Sequence, residues 1–407
     1  MLIWWALPSV SVFAETKIVP WGEVRERYDS NVWRRPKDLL RDAQGNVPQL
    51  HDFVTTVNGG LALRHESRDI EADLSVGGNY NKYVTNTGLD FFGAIVRGTV
   101  GLDRWVDQYV RGARLNVTEN FTYSPEQSFG RSVAVDDFEG GLLTFRRSRL
   151  LNTTAFTGSY PLSRDVSLEG GYTFGLRRQT RSTEGGDVTG ATFFNTMTHT
   201  WSGGPRYQLT RNDSIAALYR QTFITQERSE GGRTFSTNLI TLEGDYTKVF
   251  PEWTFIVRGG VTFVEPVGRT LPSGSIRVTT KPERDTVLAL TLSRQASPSF
   301  FLQGGARINH LAQASIRHRI YERLSVRGSG GYSLNQFFPN TDSQFQSITG
   351  GSGLEYMLTR NIRGELFYLF THIDADTPGL EYQVSRHQVG FMLSVMLESL
   401  GESLGFE

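Results

Sequence analysis

The chain has 407 residues, with 42 Lys plus Arg against 42 Asp plus Glu, 43 glycines, 12% aromatic residues and no cysteine. That length would accommodate two or three domains, but the zero formal charge argues against a general nucleic-acid binder, which carries a basic excess. The missing cysteines exclude structural disulfides and thiolate metal sites and fit an oxidising compartment; no run of about eighteen apolar residues follows the N-terminus, which excludes a helical membrane protein.

Residues 1–14 read MLIWWALPSVSVFA. They form a short apolar run closing on Val12-Phe13-Ala14, with small residues at −3 and −1 of a cleavage site. An export signal over 1–14 is expected, although it lacks a basic n-region. The alternative is an ordinary buried hydrophobic strand or helix.

Period-two alternation then dominates segment after segment. Ile70, Ala72, Leu74, Val76, Gly78 and Tyr80 alternate with Glu71, Asp73, Ser75, Gly77 and Asn79; Val166, Leu168, Gly170, Tyr172 and Phe174 alternate with Ser167, Glu169, Gly171 and Thr173. The same holds for Phe255 to Phe263, Leu324 to Tyr332 and Ile362 to Phe370. Each segment is about ten residues, enough to cross a bilayer at about 45° tilt. No amphipathic helix of three turns is visible.

Strands are expected near 18–28, 53–65, 70–82, 91–101, 112–123, 142–160, 166–177, 196–209, 214–225, 237–249, 254–264, 274–280, 286–295, 308–319, 324–336, 346–358, 362–371 and 383–396. That makes eighteen, with sixteen the next choice because 102–111, 124–150 and 296–310 are irregular. Connections alternate. Short turns such as Ser67-Arg68-Asp69, Ser163-Arg164-Asp165 and Thr359-Arg360-Asn361 face long polar stretches at 33–52, 124–140, 178–194, 227–236, 265–273, 338–345 and 373–381. Tight turns at one end and long loops at the other are the habit of outer-membrane barrels. A degenerate repeat, Tyr-x-Leu-[Ser/Thr]-Arg-[Asp/Asn], recurs at Tyr160–Asp165, Tyr207–Asn212 and Tyr356–Asn361. Its tyrosines, with Tyr80, Tyr123, Phe174, Phe223, Phe263, Tyr332 and Phe370 at the other strand ends, make two aromatic girdles.

One face of nearly every strand is polar, which no ordinary core absorbs. An open sheet in lipid would leave unpaired edges costing several kcal/mol per group. The expected fold is therefore all-β: a closed antiparallel transmembrane β-barrel over residues 15–396, followed by a short periplasmic tail, 397–407.

The last strand carries Gln388, Gly390, Leu393 and Val395 in a polar-x-Gly-x-x-apolar-x-apolar order. It resembles the strand by which outer-membrane proteins are recognised by the barrel-assembly machinery, except that such signals usually end the chain on an aromatic. The first strand, Glu26-Arg-Tyr28-Asp29-Ser30-Asn31-Val32, and the repeated Tyr-x-Leu-[Ser/Thr]-Arg hairpins resemble the bacterial outer-membrane β-barrels of the porin type associated with exopolysaccharide loci. The resemblance implies Gram-negative outer-membrane residence among lipid and lipopolysaccharide, and a role in polysaccharide export, with other export components as partners, or in envelope transport.

Parity turns Glu23, Arg25, Arg27, Glu71, Asp73, Arg97, Arg114, Glu169, Arg177, Glu243, Asp245, Arg258, Arg277, Arg317, Arg319, Arg327, Glu355, Arg363 and Glu365 inward. A barrel of sixteen to eighteen strands leaves an aqueous channel unless plugged. Inward arginines beside inward acids read first as a salt-bridge lattice stiffening the wall. Their slight surplus reads as an arginine-lined path for anionic solutes, sugars or uronate polymers, narrowed where 124–140 and 178–194 fold in. His372, Asp374 and Asp376 fall on one side of a strand end and could bind a divalent cation or activate water, or be a solvated loop. Gly350-Gly-Ser-Gly353 lies mid-strand with no helix after it, so it is no phosphate loop. The expected function is a pore for polar solutes, without cofactor or reaction centre. The rivals are a rim-active lipid or peptide hydrolase and a non-conducting envelope scaffold.

Overall fold

The computed structural model describes residues 14–33, 48–124, 149–179, 194–228, 234–265, 267–280, 285–298, 306–338, 343–376 and 381–397. These form one antiparallel sheet of eighteen strands closed on itself. In chain order the strands are β1 Glu15–Asp29, β2 Asp52–Glu66, β3 Glu71–Tyr83, β4 Phe91–Gly101, β5 Arg114–Ser124, β6 Arg149–Pro161, β7 Val166–Gln179, β8 Phe194–Gln208, β9 Asp213–Arg228, β10 Thr234–Val249, β11 Trp253–Glu265, β12 Arg269–Thr280, β13 Thr286–Pro298, β14 Ala306–Tyr321, β15 Leu324–Phe338, β16 Gln344–Met357, β17 Ile362–Asp376 and β18 Tyr382–Met396. Every strand pairs with its neighbours in sequence. β1 closes the ring, pairing with β18 from Trp21↔Met396 to Asp29↔Gln388 and with β2 from Glu15↔Glu66 to Asp29↔Asp52.

The eighteen expected strands all form. Many run past the expected ten residues, up to 16 in β9, and much of the excess lies at the loop end. Two local expectations are corrected. The 265–273 stretch is not a long loop, because β12 begins at Arg269. Its Pro272-Ser273-Gly274 looks like a turn, yet β13 meets β12 only from Gly274↔Arg294 to Thr279↔Ala289. Above that, β12 pairs with β11 alone, and a proline is tolerated at such an edge. The strand expected from 112 begins at Arg114 because Gly112 sits at φ 80°, after a five-residue helix, α1 Asp103–Asp107. That helix is tied to the neighbouring hairpin by Arg104 Nη1 to the Ser67 carbonyl (3.2 Å) and Gln108 Nε2 to Asp69 (2.6 Å). All but Ala14 of the export signal expected over 1–14, all but Leu397 of the tail expected over 397–407, and most of the long loops, including those expected to narrow the pore, lie outside the described residues.

The outer wall carries exposed apolar side chains on one parity of each strand, among them Val24, Leu61, Val76, Trp201, Leu242, Val261, Leu366 and Val389. One departure from this pattern is Glu119, midway along β5. It accepts from Thr154 Oγ1 (2.5 Å) and from Asn152 of β6, among outward neighbours Val117, Phe121 and Phe156.

Most of the buried side chains lie at the loop end, on the inside. Val32, Val54, Tyr83 and Leu89 make one cluster; Phe337, Phe345, Ala375, Tyr382 and Val384 make another. A third joins Ile224, Leu239, Val264 and Leu271 of β9 to β12 with Ala306, Ile308 and Phe338 of β14 and β15. β10 and β13, not neighbours in the sheet, touch. The upper ends of β13 to β15 therefore lean across the mouth where the β12–β13 ladder has parted.

Candidate functional site: the lumen

Alternation places one set of side chains inside, and ion pairs join them across strands. In the wall of β7 to β11, Arg206 reaches Glu169 (Nη2 to Oε2, 3.2 Å) and Asp245 (3.2 Å), Arg258 binds the other oxygen of Asp245 (2.8 Å), and Arg220 pairs with Glu243 (3.1 Å). In β14 to β17, Glu355 takes Arg317 (3.0 Å) and Arg363 (3.6 Å), while Arg327 pairs with Glu365. On β1, Arg25 holds Glu23 (2.9 Å), which also accepts from Asn58 (2.8 Å), and Arg25 lies 5.6 Å from the ring centre of Phe367. Arg27 and Arg386 both approach Asp29, a fully buried carboxylate that Gln388 Nε2 also reaches at 2.9 Å. Arg64 stands near Glu71 (3.8 Å) and Asp73 (4.0 Å), and Arg319 meets Asp285 (3.1 Å).

These contacts bring together Arg25, Arg27, Arg258, Arg317, Arg327, Arg363, Glu71, Asp73, Glu243, Asp245, Glu355 and Glu365 as a cross-braced lattice. Arg177 sits near the loop end of β7. Arg97, Arg114 and Arg277 are exposed to the interior, and none makes an ion pair with the described residues. Sequence reasoning missed Asp29, Arg64, Arg206, Arg220 and Arg386, although the same parity rule covers them. Gly203-Gly204-Pro205 hides the alternation before Arg206, and Asp29 and Arg386 sit at or near strand ends.

In β18, Gly390 has a local packing role. A Cβ there would stand 2.6 Å from the Phe367 ring and 2.9 Å from the Arg27 Cβ. Leu393 and Val395 face outward, Gln388 inward.

His372, Asp374 and Asp376 do share the outer face, but successive same-face residues of a strand stand about 7 Å apart. Among the described residues, no three His, Cys, Asp or Glu side chains are grouped to hold a metal. His372 Nδ1 instead meets Ser385 Oγ at 2.8 Å. This serine–histidine pair, invisible in the sequence, has counterparts in Thr16–His65 and Thr286–His318, each 2.8 Å. It is one of several cross-strand polar contacts satisfying outer-wall imidazoles.

A closed sheet with apolar side chains outside and its charges inside has the build of a transmembrane β-barrel. Residues 274–395, from within β12 through β18, match the model of the family described as Putative beta-barrel porin 2. No curated protein matches the chain. Solved structures similar to it include the Pseudomonas aeruginosa outer membrane protein OpdK, with 10% identity, TM-score 0.44, and 93% of this chain and 98% of that one covered. OccK2 (OpdF) of the same organism, in complex with glucuronate, has 10% identity, TM-score 0.46, and coverages of 95% and 98%. The P. aeruginosa siderophore receptor PirA has 8% identity, TM-score 0.43, and coverages of 93% and 80%.

Proposed function

We propose that this barrel is an outer-membrane pore for polar solutes with a preference for anions, and that polysaccharide or its fragments are its cargo. The observation carrying the anion preference is the set of three interior arginines outside the lattice, Arg97, Arg114 and Arg277. The paired arginines have their charge met by acids and stiffen the wall; these three, without an acid partner among the described residues, leave a positive field in a confined aqueous space. The short turns face the periplasm and the loops the exterior. Export through the periplasm using residues 1–14, insertion by the barrel-assembly machinery into a membrane bearing lipopolysaccharide, and contact with polysaccharide-export components complete the reading.

The reversal potential across a planar bilayer under a salt gradient tests it. The expected sign is that of an anion-preferring pore, moving toward zero in the triple Arg→Gln variant; an unmoved potential rejects the arginine path. A second reading, the non-conducting scaffold, is favoured by the three apolar clusters that gather at the loop end; it predicts no conductance at all.

A further inference from the structure

We propose that the inner wall around Trp21 is a binding site for an acidic sugar ring, an inference that rests on the pore reading above. Trp21 points inward from β1 and stands in register with Gly60 of β2, which is in register with Gly77 of β3. A Cβ on Gly60 would lie 2.8 Å from the indole Cζ2, and one on Gly77 would lie 2.6 Å from Cζ2 and 2.9 Å from Cη2. The indole therefore reaches along the wall across two strands in a trough that only glycines leave open. Its free side borders an interior cavity of about 680 Å³.

The same cavity is bordered by Asn58, Asn79 and Arg97. Asn58 is oriented by its bond to Glu23, and Asn79 lies two residues beyond Gly77 on the same face. Arg97 makes no ion pair with the described residues. The combination has a specific chemistry. The face of an aromatic ring is negative and attracts the polarised C–H groups on the flat side of a pyranose. Carboxamides supply both donors and acceptors for neighbouring hydroxyls. An arginine without an acid partner takes a carboxylate through two parallel hydrogen bonds. A ring that is apolar on one side, hydroxylated at its rim and carboxylated at one carbon fits these groups; an inorganic anion would use only the guanidinium groups bordering the cavity, Arg97 with Arg25, Arg27, Arg360 and Arg363.

Isothermal titration of the full chain in detergent with tri-galacturonate, and with a neutral trisaccharide of the same length, tests the site without requiring conduction. Trp21→Ala should weaken both ligands about tenfold, the loss of roughly one good contact. Arg97→Gln should weaken tri-galacturonate about tenfold and the neutral sugar less than about twofold. Should Trp21→Ala lose its heat-modifiable gel mobility, Trp21→Phe and Arg97→Gln decide the matter. Absence of binding by the wild-type chain, or binding that none of these variants changes, overturns the site. A conducting protein that does not bind loses the site and keeps the pore; a binding protein that does not conduct loses the pore and keeps the site.

Discussion

Arg327 on β15 reaches over Gly353 of β16 to pair with Glu365 on β17, a carboxylate only 1% exposed. The bridge skips a strand, and the skipped position has no side chain. A Cβ on Gly353 would stand 2.8 Å from Arg327 Nε and 3.2 Å from a Glu365 oxygen. The charge lattice and the high glycine content are thus one feature here: glycines open the wall where an arginine must cross it.

Breaking this bridge should be costly. Arg327→Gln leaves Glu365 buried without its countercharge, and loss of about 3 kcal/mol is expected. Gly353→Ala should cost less, about 1 kcal/mol, by displacing both partners. Urea midpoints of the barrel in vesicles measure both. Equal stability of Arg327→Gln and wild type would show the lattice to be ornamental.

The arginines without an acid partner among the described residues should behave oppositely. Arg97→Gln, Arg114→Gln and Arg277→Gln each remove a side chain exposed to the interior, so stability should stay within about 0.5 kcal/mol while anion preference falls. Arg258→Glu sets an acid beside Asp245, the partner of Arg258 at 2.8 Å, and should destabilise the wall first. A selectivity change in Arg258→Glu larger than in the three would contradict this division of roles.

Glu119 offers a gain. Replacing it together with both its donors, Glu119→Leu with Asn152→Val and Thr154→Val, removes a carboxylate from the lipid face without stranding an amide or a hydroxyl, and should stabilise the barrel by about 1 kcal/mol. A lower urea midpoint in the triple variant would mean that the cluster is needed as it stands.

The cluster beneath the parted β12–β13 seam should set how wide the mouth opens. Leu271→Asn with Ile308→Asn places amides among the apolar side chains that join β12 to β14, where each unmet polar group costs about 1–3 kcal/mol. Larger single-channel currents are expected. Unaltered currents would put the narrowest point elsewhere.

The Ser385–His372 pair makes the hydrolase rival testable. Ser385→Ala and His372→Ala should leave conductance unchanged, and neither the variants nor the wild type should release fatty acid from phospholipid vesicles. Fatty-acid release that both substitutions abolish would install the enzyme in place of the pore.

Much of the wall was legible because a strand's period of two is a local property: Val257, Val261 and Phe263 declare the lipid face within a few residues of chain. Pro272 misled because a proline's tolerance depends on whether a neighbouring strand arrives, and that neighbour, β13, stops short. Pairings such as Arg386 with Asp29, 357 residues apart, follow from ring closure, which no local pattern contains. The lean of β13 to β15 across the mouth arises from packing between strands that do not adjoin in sequence. No local pattern marks the wall around Trp21, because its defining feature is the absence of side chains at two positions, Gly60 and Gly77, on other strands.

The absence of cysteine makes the two-faced wall directly measurable. Four single-cysteine variants of β4, at Arg97, Thr99, Val96 and Val100, are to be reacted in vesicles with a charged, membrane-impermeant thiol reagent. The first two should label rapidly and the last two only after detergent is added. Equal labelling at all four, or labelling at Val96 and Val100 alone, would contradict a cylinder with lipid outside and water within.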